Sequence, residues 1–214
     1  MLISHAGAAG IVFFYIIVAM YILWKLALKR SEELEAGVEK YENLVFISTI
    51  SIAIIASIMV YTGYTNWLFL AIIPSLIVCS ATDIASRYIF DYVTYPTFIA
   101  IIAFAVVLGF GISAIEGAAL CSLFLLPMWA VTKGKALGFA DVKLALCIGA
   151  ALGPFSGCSA LAWSFIFSSI IAVLLIVFKV MKRTDYQPFG AYMALGAIVG
   201  AFYPLPLLDI IVNH

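Results

Sequence analysis

Two aspartates stand at the edges of long apolar runs, where an ionisable side chain is costly and is a functional candidate. Asp83 closes an apolar run at about 66–83, and Asp141 comes directly before another run at about 142–156. If these runs are helices that cross a bilayer in opposite directions, both carboxyls lie at the same boundary. Two close carboxyls do not easily ionise together, so such a pair holds a shared proton.

A carboxyl pair that shares one proton can hydrolyse a peptide bond. The ionised member takes a proton from water as the general base, while the protonated member polarises the peptide carbonyl. This is the chemistry of an aspartic protease, and it requires no metal, no cofactor and no activated Ser or Cys. We therefore predict Asp83 and Asp141 as a catalytic pair, with no metal site and no cofactor.

Each aspartate also has a purely structural interpretation. Asp83 could pair with Arg87, four residues later, on a helix that continues past it. Asp141 could cap the N-terminus of its own helix, where Asp is favoured. Two further acids are weaker candidates, because Asp91 lies in a polar joint that water can reach and Glu116 lies near the opposite boundary. We interpret Glu116 as an interfacial or packing acid.

The composition indicates a membrane protein. Hydrophobic residues make up 66% of the 214 residues and charged residues only 10%, with a mean hydropathy of +1.20. Soluble globular domains carry about 25% charged residues, so a lipid bilayer is an expected partner. The formal net charge of zero gives no reason to expect nucleic acid. The four isolated cysteines form no CxxC pair, which argues against a zinc site or a disulfide framework.

Eight apolar runs approach the length of about 20 residues that a helix needs to cross a bilayer. Backbone groups in lipid must be satisfied internally, and runs without apolar/polar alternation favour helices over a barrel. The sequence therefore predicts an all-α integral membrane protein with about eight transmembrane helices. Two GxxxG patterns, at 149–153 and 196–200, predict close helix packing. The predicted spans are about 8–28, 44–62, 66–83, 94–111, 114–132, 142–156, 159–180 and 188–206.

The distribution of positive charge predicts the orientation, because short cytoplasmic joints collect Lys and Arg. With the N-terminus outside, all 11 Lys and Arg residues fall in cytoplasmic joints, and the C-terminus is also outside. Both aspartates then lie at the cytoplasmic boundary. No Lys or Arg precedes the first run, so that run is expected to stay in the protein rather than to be cleaved as a signal peptide.

One domain is predicted over residues 1–214. It comprises a first span at 1–28, a short cytoplasmic connector at 29–43 and a peptidase core at 44–206. The connector is the longest hydrophilic stretch of the chain. No linker, internal repeat or low-complexity segment indicates a second domain, and the sequence predicts no oligomeric state.

Three short motifs in the apolar part of the chain resemble those of a known family. Residues 83–94, DIASRYIFDYVT, are similar to an Asp followed six residues later by Ile-Pro-Asn/Asp and then Thr. Residues 138–144, GFADVKL, resemble Gly-x-Gly-Asp-x-Lys-Leu, and residues 188–196, PFGAYMALG, resemble Pro-Phe-Gly-Pro-Phe-Leu-Ala-Leu-Gly. These motifs, in this order, are those of the type IV prepilin peptidases, a family of GxGD-type membrane aspartic proteases.

The resemblance implies both a site and an activity. It implies removal of a short basic leader from prepilins or pilin-like precursors, at the cytoplasmic face of the cytoplasmic (inner) membrane, in type IV pilus assembly or protein secretion. The family's usual cut follows a Gly at the edge of the substrate's own apolar helix, so pilin-like substrate helices are the expected partners. The implied catalytic residues are Asp83 and Asp141, and the supporting motif residues are Arg87, Asp91, Gly138, Lys143, Pro188, Phe189 and Gly190.

The sequence departs from the family pattern in three places. Ala140 replaces the second Gly of GxGD, which is tolerable if its φ is negative but not where a positive φ is required. Phe90 replaces the Pro that follows Ile89, a change expected to loosen that turn. The connector at 29–43 lacks the CxxC-containing domain of many bacterial relatives that also N-methylate the mature pilin. The chain therefore resembles a short form of the family, and the resemblance gives no support to N-methyltransferase activity.

Two other functions fit parts of the sequence. A small proton-coupled carrier could use the two aspartates as relay acids. Transporter sites, however, usually lie near the bilayer midplane between two related halves, whereas both acids are predicted at one boundary. The second alternative is a catalytically inactive paralogue that binds pilin-like helices. Ala140 and Phe90 suggest it, although both aspartates are present.

Overall fold

The computed structural model describes residues 5–33, 50, 53–54, 57, 66–135, 137–182 and 187–205. It is built from helices, and the described residues contain no β-strand. Six helices have both ends within the described residues: α1 (His5–Glu33), α2 (Trp67–Ser86), α3 (Asp91–Val107), α4 (Gly111–Thr132), α5 (Phe139–Val177) and α6 (Phe189–Phe202).

Four of the described helices are long and apolar enough to cross a membrane. They are α1, over Ala8–Lys25, and the whole of α2, α4 and α5. The other two, α3 and α6, are apolar but shorter, with 17 and 14 residues. The chain is therefore an all-α, multi-pass membrane protein, as its composition predicts.

The described helices do not reproduce the prediction of eight separate spans. The predicted span at 44–62 lies outside the described residues, except for positions 50, 53, 54 and 57. The spans predicted at 142–156 and 159–180 belong to one helix, α5, whose backbone breaks at Gly153 and not at the predicted joint near 156–159. The count of eight and the outside position of both termini stay predictions.

The break in α5 reverses the chain. Gly153 has φ 78° and ψ −179°, a conformation that glycine adopts and other residues avoid. Pro154 follows and lacks an N–H group, so the ladder of helical hydrogen bonds is interrupted. A β-carbon on Gly157 would lie only 3.0 Å from Gly149 Cα, although these residues would be about 12 Å apart along a straight helix. The two parts, α5a (139–152) and α5b (154–177), therefore fold back on each other as the two predicted spans would.

Glycines bring α4, α5 and α6 into backbone contact. A β-carbon on Gly117 of α4 would overlap the carbonyl oxygen of Gly149 in α5a. A β-carbon on Gly196 of α6 would overlap the carbonyl oxygen of Ala160 in α5b. The close packing predicted from the two GxxxG patterns is thus confirmed.

The central helix of the bundle is α2, since 14 of its 20 residues are buried. Its C-terminal end carries Asp83, and the N-terminus of α3 begins eight residues after Asp83, at Asp91. The N-termini of α5 and α6 lie beside it, and we call this the aspartate end of the bundle. The opposite end is closed by contacts such as the hydrogen bond from Trp163 Nε1 to the Tyr203 carbonyl oxygen, 3.1 Å.

Candidate active site

Asp83 lies in the last turn of α2, and the N-terminus of α6 holds its carboxyl group. The side chain is buried, with only 6% of the residue exposed. The Gly190 N–H donates to Asp83 Oδ2 at 2.7 Å. Free N–H groups and the positive end of the helix dipole make a helix N-terminus a natural site for an anion. The third motif therefore contributes an anchor for the first aspartate.

The close approach of α6 to Asp83 explains why position 190 is a glycine. A β-carbon there would lie 2.9 Å from Asp83 Oδ2 and 3.0 Å from Ile89 Cδ1. The two residues before it set where α6 begins. Pro188 is the N-cap, with an extended backbone, and the Phe189 ring packs against Phe165 with centroids 5.0 Å apart.

Asp141 lies in the first turn of α5 and bonds to the start of its own helix. It is buried, with 8% exposed, and its Oδ2 accepts a hydrogen bond from the N-cap Gly138 N–H at 3.1 Å. This reach of the third helical residue back to the N-cap N–H is one half of a capping box. Asp141 therefore does cap its own helix, as the helix-capping interpretation predicts. This cap uses only one carboxyl oxygen, so the other oxygen is left for other partners.

The structure places Asp83 and Asp141 at the same end of the bundle. Their helices, α2 and α5, pack against each other, and both carboxyls are buried at the aspartate end. Each oxygen that accepts a backbone N–H comes from a side chain that is more than nine-tenths buried. The result is a pair of acids, held by backbone groups, in a largely apolar surrounding.

Arg87 ends α2 and does not form the predicted i,i+4 pair with Asp83. Its backbone is left-handed, with φ 56° and ψ 32°, and its N–H donates to the Asp83 carbonyl oxygen at 2.8 Å. Because the helix stops there, the Arg87 side chain leaves the helix surface and is exposed. No Asp83–Arg87 ion pair occurs in the described structure, so the i,i+4 pair that the sequence allowed is not formed.

Asp91 and Lys143 join the first motif to the second. Asp91 is the first residue of α3, so this helix begins three residues before the predicted span. Its Oδ1 accepts a hydrogen bond from Lys143 Nζ at 2.7 Å. The same Nζ lies 5.0 Å from the centroid of the Tyr95 ring and 5.1 Å from that of Phe139. Asp91 is therefore more than a solvated acid in a joint.

Sequence reasoning did not identify Tyr95 and Phe139 as members of this cluster. A signal was present in the spacing, because Tyr95 follows Asp91 by four residues and Phe139 precedes Lys143 by four. Residues four apart share a helix face. Each aromatic ring is thus carried beside the charged group of its own helix.

The two substitutions in the family motifs are accommodated without backbone strain. Ala140 lies in the first turn of α5 and is not among the described residues with positive φ. Phe90 is the N-cap of α3, with φ −83°, close to the value of about −65° that a proline ring imposes. Its buried ring stacks on Tyr92 with centroids 5.3 Å apart. The turn therefore keeps a proline-like backbone, and the expected loosening stays a prediction.

The remaining candidates lie away from the pair. Glu116 is exposed on α4, near the opposite end of the bundle. The cysteines are free, and the described part of the chain contains no group of three or more His, Cys, Asp or Glu side chains arranged to hold a metal ion.

Comparison with known protein families identifies the family of the chain. A sequence profile of the type IV leader peptidase family matches residues 68–178, just over half of the 214-residue chain. The matched region begins in α2 and ends just after α5, so it contains Asp83, Asp91, Asp141 and Lys143. No curated protein and no solved structure matches the chain significantly. The chain belongs to the type IV leader peptidase family.

Proposed function

We propose that this chain is a membrane aspartic endopeptidase that removes the short leader of prepilins or pilin-like precursors at the cytoplasmic face of the membrane. Family membership supports a leader peptidase in general. The single observation that carries the aspartic mechanism is the burial of two acids, from the contacting helices α2 and α5a, at one end of the bundle.

The proposed reaction uses the two carboxyls and one water molecule. The ionised carboxyl takes a proton from water while the water oxygen attacks the peptide carbonyl carbon. The protonated carboxyl gives its proton to the carbonyl oxygen. When the tetrahedral intermediate collapses, the C–N bond breaks. The first carboxyl then gives its proton to the leaving nitrogen, and the second regains one from the diol. Asp83 is the better candidate for the ionised member, because the backbone N–H that it accepts at a helix N-terminus lies at 2.7 Å, against 3.1 Å for the one that Asp141 accepts.

The cytoplasmic orientation is part of the proposal. Positive charge in short joints favours the cytoplasmic side, and the described joints at the aspartate end are rich in it. With α5a and α5b each counted as a span and the predicted span at 44–62 included, the chain crosses the membrane eight times and both termini lie outside. The described basic residues in these joints and next to them are Arg87, Lys133, Lys135, Lys143, Lys179 and Lys182.

A cleavage assay in membranes tests the proposal. The substrate is a precursor with a basic leader and a Gly directly before its apolar helix, and mass spectrometry identifies the new N-terminus. We expect membranes that contain the wild-type chain to convert this precursor to the shortened form. A matched precursor with a bulky residue in place of that Gly, and membranes that lack the chain, should give no product. If the precursor stays uncleaved in membranes that contain correctly inserted wild-type protein, the peptidase function is excluded. That result would favour a carrier or a non-catalytic binding protein.

Restoring the family's glycine at position 140 should not improve the enzyme. Ala140 has a helical backbone in the first turn of α5, and glycine in a helix costs about 0.5–1 kcal/mol relative to alanine. We expect Ala140→Gly to cleave within about twofold of the wild-type rate, with a free energy of unfolding lower by up to about 1 kcal/mol. Cleavage kinetics and thermal unfolding in detergent measure the two effects.

A second substitution in the same turn provides the comparison. Gly138→Ala would place a β-carbon 3.3 Å from Asp141 Oδ2 and should slow cleavage more than Ala140→Gly does. A gain of tenfold or so in the rate of Ala140→Gly, about 1.4 kcal/mol of activation free energy, would show instead that the alanine restrains the site.

A further inference from the structure

The ion pair between Asp91 and Lys143 is open to solvent on its carboxylate side and covered on its lysine side. The Lys143 side chain is only 14% exposed, whereas Asp91 is 54% exposed. The ammonium group also lies close to two ring faces, those of Tyr95 and Phe139. A cation next to aromatic faces and a carboxylate at 2.7 Å is held by several directional interactions at once.

Helix electrostatics alone do not explain the lysine. Lys143 lies in the second turn of α5, near the positive end of the helix dipole, where a cation is unfavourable. Asp91, in contrast, is the first residue of α3, where an anion is favourable. Lys143 is therefore stabilised by a partner on another helix, and its position indicates a role in joining α3 to α5a.

The pair joins the two chain segments that carry the aspartates. Asp91 follows Asp83 by eight residues across the short turn between α2 and α3, and Lys143 follows Asp141 by two residues. One turn further along the same two helices, Cys147 Sγ donates to the Thr94 carbonyl oxygen at 3.4 Å. The contact between α3 and α5a thus begins at the ion pair and continues away from the aspartate end.

We propose that Asp91 and Lys143 are positioning residues that fix the start of α5a against the turn after α2, and thereby set the separation of the Asp83 and Asp141 carboxyls. This inference rests on the proposed function for its catalytic consequence, but its structural part stands without it. Neither residue needs to touch the substrate. A displacement of about 1 Å between catalytic groups can cost about 10²-fold in rate, so the loss of the pair should slow catalysis.

Kinetics on two single variants and their combination test the catalytic part. We expect Lys143→Met and Asp91→Asn each to lower kcat at least about tenfold, with KM within about threefold of wild type, because the lost interaction acts on geometry rather than on substrate binding. Rates are expressed per folded protein, measured by size-exclusion chromatography in detergent. The double variant should be no slower than the slower single variant, since both changes break the same pair. Lys135→Met, the same change at an exposed lysine of the joint before α5, should leave kcat unchanged.

The pH profile separates positioning from simple stabilisation. Electrostatic coupling between two carboxyls depends on their separation, so the width of the kcat–pH profile should change in Lys143→Met. A variant that only lowers stability keeps the wild-type profile at a reduced folded fraction. Wild-type kcat in both single variants, losses that multiply in the double variant, or an unchanged profile would each overturn the catalytic part of the proposal.

Hydrogen–deuterium exchange tests the structural part without any substrate. In Lys143→Met we expect faster amide exchange in peptides covering 87–95 and 137–146, and unchanged exchange in the described part of α6 beyond its first turn. Lys135→Met should show neither change. If the wild-type chain fails to cleave precursors but this local response is found, the proposed function fails while the positioning contact stands. If exchange in both segments stays at the wild-type rate, the positioning contact itself is rejected.

Discussion

Replacement of either Asp83 or Asp141 by Asn is expected to reduce the rate of leader cleavage by at least about 10³-fold, within the range of about 10²–10⁴-fold that general acid–base catalysis contributes. Asn keeps the shape of the side chain and can still accept the hydrogen bond from Gly190 or Gly138. It can neither take a proton from water nor give one to a peptide carbonyl. Precursor cleavage in membranes, with time courses long enough to detect slow turnover, measures the loss.

Two controls make this loss interpretable. Glu116→Gln removes one negative charge from an exposed acid near the opposite end of the bundle and should leave the rate unchanged. The double variant at 83 and 141 should be no slower than either single variant, because the two acids act as one unit. Each protein is checked for membrane insertion and for elution as a folded species. Cleavage above a tenth of the wild-type rate in either single variant would rule out the two-aspartate mechanism.

The positions of the two aspartates could be predicted because charged side chains are rare in and beside membrane-spanning segments. An acid at the edge of an apolar run is costly, so Asp83 and Asp141 stood out from acids in hydrophilic joints. Alternation of helices across a bilayer then placed both at one boundary, and the structure has both at the same end of the bundle. The cost of charge in lipid and the alternation of helices thus allow the sequence to predict at which membrane boundary a residue lies.

The contacts that hold the pair depend on residues far apart in the chain, which local patterns do not reveal. The bond from Gly190 to Asp83 joins residues 107 positions apart. The pair of Asp91 and Lys143 spans 52 positions. Helix propensity and apolar period determine where helices form but not which helix ends face one another, so these contacts followed only from the packed bundle.

The sequence predicted the chain reversal in α5 near 156–159, whereas the backbone breaks at Gly153. The apolar run continues through 153–158, and hydropathy alone does not indicate where the backbone turns. The glycine that accepts a positive φ, followed by a proline, fixes the break at Gly153. Backbone stereochemistry, rather than the polarity of a joint, therefore sets the turn between the two arms.

All three family motifs lie at helix ends, and this explains how an apolar bundle can hold a polar site. Motif one contains the end of α2 and the start of α3, motif two the start of α5, and motif three the start of α6. Helix N-termini offer backbone N–H groups that have no partner inside the helix. A carboxyl placed there is satisfied without further polar side chains, so the site can be assembled from backbone donors within an otherwise hydrophobic protein.

The glycine of the third motif should be nearly as important as the aspartates. In Gly190→Ala the new β-carbon would lie 2.9 Å from Asp83 Oδ2, closer than real side chains pack, so either the carboxyl or the start of α6 must move. Movement weakens the bond from the Gly190 N–H to the carboxyl. With an expected displacement of about 1 Å at a catalytic carboxyl, we predict a fall in kcat of about 10²-fold, while KM stays within about threefold. Overpacking of this kind also costs about 1–3 kcal/mol of stability.

A second glycine of the same helix separates damage to the site from damage to the helix packing. In Gly196→Ala the added β-carbon would overlap Ser164 Oγ and the Ala160 carbonyl oxygen of α5b, two turns away from the carboxyl. This variant should lose at least as much stability as Gly190→Ala. The kcat of its folded fraction should nevertheless stay within about fivefold of wild type, because a contact far from the reacting groups affects folding more than it affects the geometry of the two carboxyls. Thermal unfolding in detergent and kcat per folded protein are compared for the two variants. Equal losses of kcat in both would mean that α6 acts only as a packing element. A loss confined to Gly190→Ala would mean that the start of α6 holds the Asp83 carboxyl in its reactive position.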